Sequence, residues 1–234
     1  MFLISCKVNC SPPNPLASSS TTQYIDIIGS CELNCYVEYE PLKSWMSHIS
    51  NTTLIRQLTI PGTHDSSAFD TGYIGKTNHV RAQVLNFEQQ LNMGVRYFDM
   101  RIKQISANKF AMHHGLFYLG FEFDRVLEDC VRFLKKFPTE TILLKIKVEQ
   151  GSKKMVASTL EKVYMNNPKF RDYFWLCTTD NPSLGEVRGK MLIVQNFKVQ
   201  RKSFYLIVSL SFIFIKLKKK GHQLKNPKTV WPQL

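Results

Sequence analysis

Apolar and polar positions alternate along this chain in blocks that change period. Leu42, Trp45, Met46 and Ile49 recur at helical spacing, which predicts a short helix over residues 41–49. Residues 54–60 (LIRQLTI) read as a strand stopped by Pro61-Gly62, and residues 81–93 as a helix ended by Gly94. A strand follows at 95–102 (VRYFDMRI), then a polar turn at 106–109 and a shorter strand at 110–113. Residues 122–137 place Phe123, Val126, Leu127, Cys130, Val131 and Leu134 on one side, which predicts an amphipathic helix halted before Pro138. Residues 141–148 (TILLKIKV) predict a strand, 153–165 a helix, and 190–194 a strand after Gly189. Strands separated by 10–15-residue helices imply a parallel sheet with helical crossovers. No glycine-rich nucleotide loop follows the first strand, so the expected fold class is α/β of the (β/α) barrel type, or a piece of one.

Charge modifies that picture at one end only. The chain has 234 residues with 31 Lys+Arg against 18 Asp+Glu, a formal net charge of +13. Residues 187–234 hold 11 of the basic residues and no acidic one, which leaves the body 20 basic and 18 acidic residues, or +2. The composition is 44% hydrophobic and 12% aromatic, enough for a sizeable core, and this excludes a disordered, collagen-like or coiled-coil chain. The basic excess invites a nucleic-acid or anionic-membrane partner. No helix-turn-helix, RNA-recognition or zinc-finger pattern accompanies it, so nucleic acid is not expected.

Residues 1–23 are rich in Ser, Thr, Pro and Asn and are expected to lack packed structure. The pairs Cys6/Cys10 and Cys31/Cys35 are spaced C-x₃-C without histidine partners, which speaks against zinc. Disulfides in a secreted chain and scattered thiols both stay open; Cys130 is expected as a buried thiol on its helix. The opening run Met1-Phe2-Leu3-Ile4 is shorter than a signal-peptide core, so the expected location is cytoplasmic, with secretion still open. Residues 204–215 (FYLIVSLSFIFI) precede the Lys216–Lys220 cluster and are too short to span a bilayer. A buried strand or helix, an interfacial segment pinned by lysines, and sequence outside the native fold remain three readings.

In a (β/α) barrel the reactive groups collect at the C-terminal ends of the strands. Three such places are polar here: Gly62-Thr63-His64-Asp65-Ser66, then Asp99 with Arg101, then His113-His114-Gly115. Lys145, Lys147 and Glu149 add a fourth, on one side of their strand. Each has an ordinary alternative: a capping Asp65, a structural Asp99–Arg101 pair, one core and one exposed histidine, a solvated lysine face. Their joint placement favours one site. No His or carboxylate recurs at a metal-ligand spacing, so neither metal nor cofactor is expected. Two histidines with an arginine suit phosphodiester chemistry: one base, one acid, and a guanidinium on the developing charge.

Those segments, LTIPGTHDS at 58–66, VRYFDMR at 95–101 and MHHG at 112–115, resemble the catalytic X region of phosphatidylinositol-specific phospholipase C. The similarity is to the metal-independent bacterial-like and X-domain-only type and extends from Trp45 to Asn196, through PTETI at 138–142, Lys145–Glu149 and EVRGK at 186–190. The resemblance implies a TIM-type (β/α) barrel, incomplete here at roughly its N-terminal half, with an extension at 1–44, the barrel part at 45–197 and a basic, apolar tail at 198–234. It implies that His64 takes the proton of the inositol 2-hydroxyl and that His114 protonates the departing diacylglycerol oxygen. By the same likeness Arg101 stabilises phosphate charge, Asp65 positions the phosphate-side groups, Asp99 orients His114 and Lys147 binds inositol hydroxyls. In the family, later strands supply the carboxylate that orients the first histidine and a basic residue where Asn196 stands. The implied partner is a phosphatidylinositol-containing membrane surface, met as a peripheral protein. The alternative is a catalytically impaired domain that binds anionic phospholipid head groups.

Overall fold

The structure, a computed structural model, describes residues 40–72, 80–176, 179, 181–195 and 212–214. The N-terminal thiols, Cys177, Asn196 and the Lys216–Lys220 cluster lie outside the described residues. The strands are β1 (Ile60–Thr63), β2 (Tyr97–Ser106), β3 (Lys109–His114), β4 (Phe117–Glu122), β5 (Ile142–Gln150), β6 (Met191–Gln195) and β7 (Phe212–Phe214). The helices are α1 (Glu40–Lys43), α2 (Phe87–Asn92), α3 (Phe123–Lys136), α4 (Lys153–Thr159) and α5 (Leu184–Val187). Strands β7, β1, β2, β5 and β6 run parallel in that spatial order, as helical crossovers require. The result is a mixed α/β chain whose parallel run has the strand logic of a (β/α) barrel. No helix among the described residues is long and apolar enough to cross a membrane.

Alternation on β2 and β5 creates two environments. Phe98, Met100 and Ile102 on β2, with Ile142, Leu144 and Ile146 on β5, face the helix layer and join α3 and α4 in the larger core. The opposite face changes character along its length. Its lower part is apolar, with Ile60, Tyr97, Leu143, Leu192 and Val194 packed on Trp45, Met46 and Leu184. Its upper part carries Asp99, Arg101, Lys145, Lys147 and Glu149. The register sets Asp99 opposite Lys145 and Arg101 opposite Lys147.

Several sequence expectations shift. The first strand is not residues 54–60: Leu54 makes an isolated antiparallel bridge with Ser183, Ile55–Gln57 form a 3₁₀ turn, and β1 begins at Ile60. The Gln57 side chain accepts the Leu54 N–H at 3.0 Å and the Gln57 N–H reaches Leu54 O at 2.9 Å, which closes the turn. Pro61 and Gly62 lie within β1. A Cβ on Gly62 would stand 3.0 Å from the Tyr97 ring, so only glycine allows β1 this close to β2.

The second helix starts at Phe87, where Asn86 accepts the Gln89 N–H in a reciprocal cap. Residues 81–85 instead form a loop held by Arg81 and Gln83. The strand at 110–113 is antiparallel to β2 and pairs in turn with β4, a strand the sequence pattern does not predict. The predicted helix at 153–165 ends in a π-helical turn, Leu160–Met165. Within the apolar segment 204–215, Phe212–Phe214 form a strand beside β1. Cys130 is a buried free thiol, as its helix face predicted.

Candidate active site

The loop after β1 is fastened to β2 before any reactive group is placed. Ser66 Oγ donates to Thr63 O at 2.9 Å and accepts the Asp99 N–H at 2.9 Å, while the Ser66 N–H reaches Asp99 O at 3.1 Å. Gln90, buried on α2, donates to Ser66 O and accepts from Thr63 Oγ1 at 2.7 Å. Gln83 donates to His64 O. Asp65 takes a left-handed backbone, φ +50°, which a short carboxylate residue tolerates and which turns its side chain inward. Ser66, Gln83 and Gln90 were not singled out from the sequence. Only Ser66 carried a signal, as part of GTHDS.

All six predicted residues come together. His64 Nδ1 stands 3.1 Å from Asp99 Oδ2, and Arg101 Nη2 stands 2.9 Å from His64 Nε2. A guanidinium only donates, so His64 Nε2 holds a lone pair and the ring proton lies on Nδ1, towards the carboxylate. His114 has the reverse arrangement. Its Nδ1 is 2.7 Å from Val80 O and its Nε2 is 3.2 Å from Asp65 Oδ2, two acceptors that together suit a doubly protonated ring. One imidazole is thus set to take a proton and the other to give one. His113 is the buried member of the pair, its ring tilted 39° to that of Tyr118 at 5.7 Å, and burial lowers its pKa.

The carboxylate contacts differ from those the resemblance implies, which put Asp99 with His114 and Asp65 among the phosphate-side groups. Asp99 contacts His64, not His114, and Asp65 contacts His114. The cause is the turn at Asp65, which aims its side chain across the sheet, while the antiparallel β3 returns His114 to that side. Asp99 also fills the place of an orienting carboxylate for His64 that the resemblance located in later strands.

Arg101 sits between these groups. Its Nε lies 3.5 Å from both Asp65 Oδ2 and Asp99 Oδ2, and its Nη1 is 3.2 Å from Glu149 Oε1. Lys147 Nζ pairs with the same Glu149 oxygen at 2.9 Å, and Lys145 Nζ is 3.2 Å from Asp99 Oδ1. Burial pushes Asp65 up to about 6, with Arg101 and His114 pulling against it. Asp99 is held below the usual carboxylate range: burial opposes ionisation, but Lys145, the Asp65 N–H and Arg101 outweigh it. Two neighbouring carboxyls thus differ in proton affinity, as an acid–base pair needs. Among the described residues no group of three or more His, Cys, Asp or Glu is set to hold a metal ion, and the space between Asp65, Asp99 and Glu149 receives the Arg101 guanidinium.

Comparison with known proteins places this geometry. The family model for the phosphatidylinositol-specific phospholipase C X domain matches residues 58–197. A 1-phosphatidylinositol phosphodiesterase of Staphylococcus aureus is 32% identical over 155 residues, 64% of this chain and 50% of that protein. One from Listeria monocytogenes is 34% identical over 159 residues, covering 65% and 48%. The solved structure of the phosphatidylinositol-specific phospholipase C from Listeria monocytogenes superposes with a TM-score of 0.59 at 31% identity, over 70% of this chain and 62% of that one. A Staphylococcus aureus structure gives 0.60 at 27% identity, covering 67% and 53%. The chain spans about half the length of the curated relatives it matches.

Proposed function

The chain belongs to the phosphatidylinositol-specific phospholipase C X-domain family, and from that premise we propose that it cleaves phosphatidylinositol, free or glycosyl-linked, to diacylglycerol and a cyclic inositol phosphate. The observation that carries this reading is the opposite proton arrangement of His64 and His114 on either side of Arg101. His64 Nε2 takes the proton of the inositol 2-hydroxyl, and that oxygen attacks phosphorus. The bond from phosphorus to the diacylglycerol oxygen breaks, and the leaving oxygen takes the proton held between His114 Nε2 and Asp65. Water can then open the cyclic ester with the roles reversed. Arg101 releases His64 as the phosphate arrives and meets the charge on its oxygens. Asp99 holds His64 in the tautomer that leaves Nε2 free to accept. Lys147, beside Glu149 at the open end of the face, meets the inositol hydroxyls. No step calls for a metal ion, because the charge is met by Arg101.

The test is release of water-soluble inositol phosphate from phosphatidylinositol vesicles with chelator present. His64→Ala and His114→Ala should each lower turnover about 10²–10⁴-fold. Full turnover in either variant defeats the assignment. Vesicle binding without turnover in the unmutated chain replaces it with head-group binding by an impaired domain.

A further inference from the structure

We propose that Lys145 is a positioning residue for His64: it carries the countercharge of Asp99 and so leaves Arg101 for the phosphate. The placement comes from strand register. Lys145 on β5 stands directly opposite Asp99 on β2, and Lys147 directly opposite Arg101. Below Lys145 the same face of β5 presents Leu143, which is fully buried, so Lys145 is the first charge above an apolar floor. Asp99 is only 1% exposed. Its Oδ2 faces His64 Nδ1, the Asp65 N–H at 3.3 Å and Arg101 Nε. Its Oδ1 faces Lys145 Nζ at 3.2 Å as an ion pair.

Charge balance shows what that contact does. With His64 neutral and the Asp65–His114 pair balancing itself around one shared proton, Asp99 and Glu149 meet Lys145 and Lys147, and Arg101 is left for the phosphate. Lys147 takes Glu149 and Lys145 takes Asp99. Remove Lys145, and Arg101 becomes the remaining permanent cation against both aspartates. It would then be drawn down onto Asp99 Oδ2 and away from the position of a bound phosphate. A neutralised Asp99 would also stop holding the proton of His64 Nδ1. The groups that face Asp99 are Tyr97 and Arg101 from β2, His64 and Asp65 from the loop after β1, and Lys145 from β5, with His114, Lys147 and Glu149 one shell further out. Of these, Lys145 contributes most to holding Asp99 ionised against burial.

The catalytic half of this inference rests on the function proposed above; its electrostatic half does not. Both are read in the unmutated chain, Lys145→Met and Lys145→Arg, with Lys145→Gln in reserve should the methionine variant not fold. The Asp99 carboxyl is titrated by carbon NMR. The expected result is a midpoint raised by about one unit or more in Lys145→Met and kept in Lys145→Arg. The acid limb of kcat/KM on phosphatidylinositol vesicles should move to higher pH in the methionine variant alone. A merely structural lysine would lower activity evenly at all pH values and leave both midpoints in place, and that result overturns the proposal. An unmoved Asp99 midpoint overturns it whether or not the chain turns over. A moved midpoint in a chain without turnover upholds the charge role and counts against the proposed function instead.

Discussion

Arg96 and Arg101 stand at opposite ends of one stretch of chain, and almost everything about their surroundings differs. Arg96 is fully buried just ahead of β2. Its Nε donates to Glu140 Oε2 at 3.0 Å, its Nη1 to Leu91 O and Val95 O, and its Nη2 to Lys43 O at 2.7 Å. The guanidinium also lies 4.5 Å over the Phe133 ring. Each nitrogen has a partner, and Glu140 is equally enclosed, taking bonds from Thr139 and Met46. Burial lowers Arg96 to about 10, with Glu140 resisting. Arg101 is shared among Asp65, Asp99, Glu149 and His64, and its Nε has no well-formed hydrogen bond. A satisfied arginine holds structure together. An arginine with several half-made contacts at a solvent-reachable mouth is ready to exchange them for a ligand.

Breaking the satisfied end should have the larger effect. Arg96→Met leaves Glu140 buried without its cation and also strips the backbone carbonyls of Leu42, Lys43, Leu91 and Val95 of this donor, a cost of about 3–5 kcal/mol. Against the roughly 5–15 kcal/mol by which a native domain is stable, that is a large fraction of the total. Chemical denaturation measures it. Pairing Arg96→Met with Glu140→Leu should recover much of the loss, because an apolar pair of similar volume removes the orphaned charge. No recovery would mean that the carbonyls of Leu42, Lys43, Leu91 and Val95 dominate.

Breaking the other end should move activity rather than stability. Arg101→Met is expected to lower kcat/KM on phosphatidylinositol vesicles about 10²–10³-fold, the usual cost of removing one donor from a developing oxyanion. Its stability cost should be smaller than that of Arg96→Met, because other cations remain beside its partners. Lys145 and Lys147 still hold Asp99 and Glu149, and Asp65 accepts a proton readily. A fall in stability as large as that of Arg96→Met would erase the distinction between the two arginines.

Sequence reasoning found Arg101 and passed over Arg96. Arg101 shares a strand side with Asp99 and precedes two histidines, a pattern visible at short range. The partner of Arg96 is Glu140, read only as part of a family-like segment, and nothing local joins them. The same limit explains why Asp99 meets a different histidine from the one expected. Alternation shows that Asp99 and Arg101 point one way. It cannot show which histidine Asp99 meets, because that depends on the left-handed turn at Asp65 and on the antiparallel return of β3. Elements with strong internal period, Phe123–Lys136 and Ile142–Gln150, were legible almost to the residue. The strand expected at 54–60 failed where one side chain, Gln57, closed a turn that its apolar pattern did not reveal.

The finest distinction lies within the upper end, between Asp65 and Asp99, and pH can separate them. Asp65 is raised from 3.8 to about 6 in the folded chain. The folded state therefore binds its proton more tightly than the unfolded state. Stability from this group is fully present below pH 4 and is lost as pH rises through 6. The total is about 3 kcal/mol for a shift of this size. Asp65→Asn removes that dependence, so its stability relative to the unmutated chain should climb by about 2–3 kcal/mol between pH 4 and pH 7. Asp99 is lowered, and its contribution has the opposite sign: present above the unfolded value and lost as pH falls through the lower folded one. Asp99→Asn should therefore lose ground to the unmutated chain as pH rises through about 4. Denaturant melts of the three proteins across this range give two difference curves. Curves of the same slope would mean that the two carboxyls titrate as one unit and that the assignment of one to each histidine fails. Curves of opposite slope would place the stored proton on the Asp65–His114 side, where the leaving oxygen needs it.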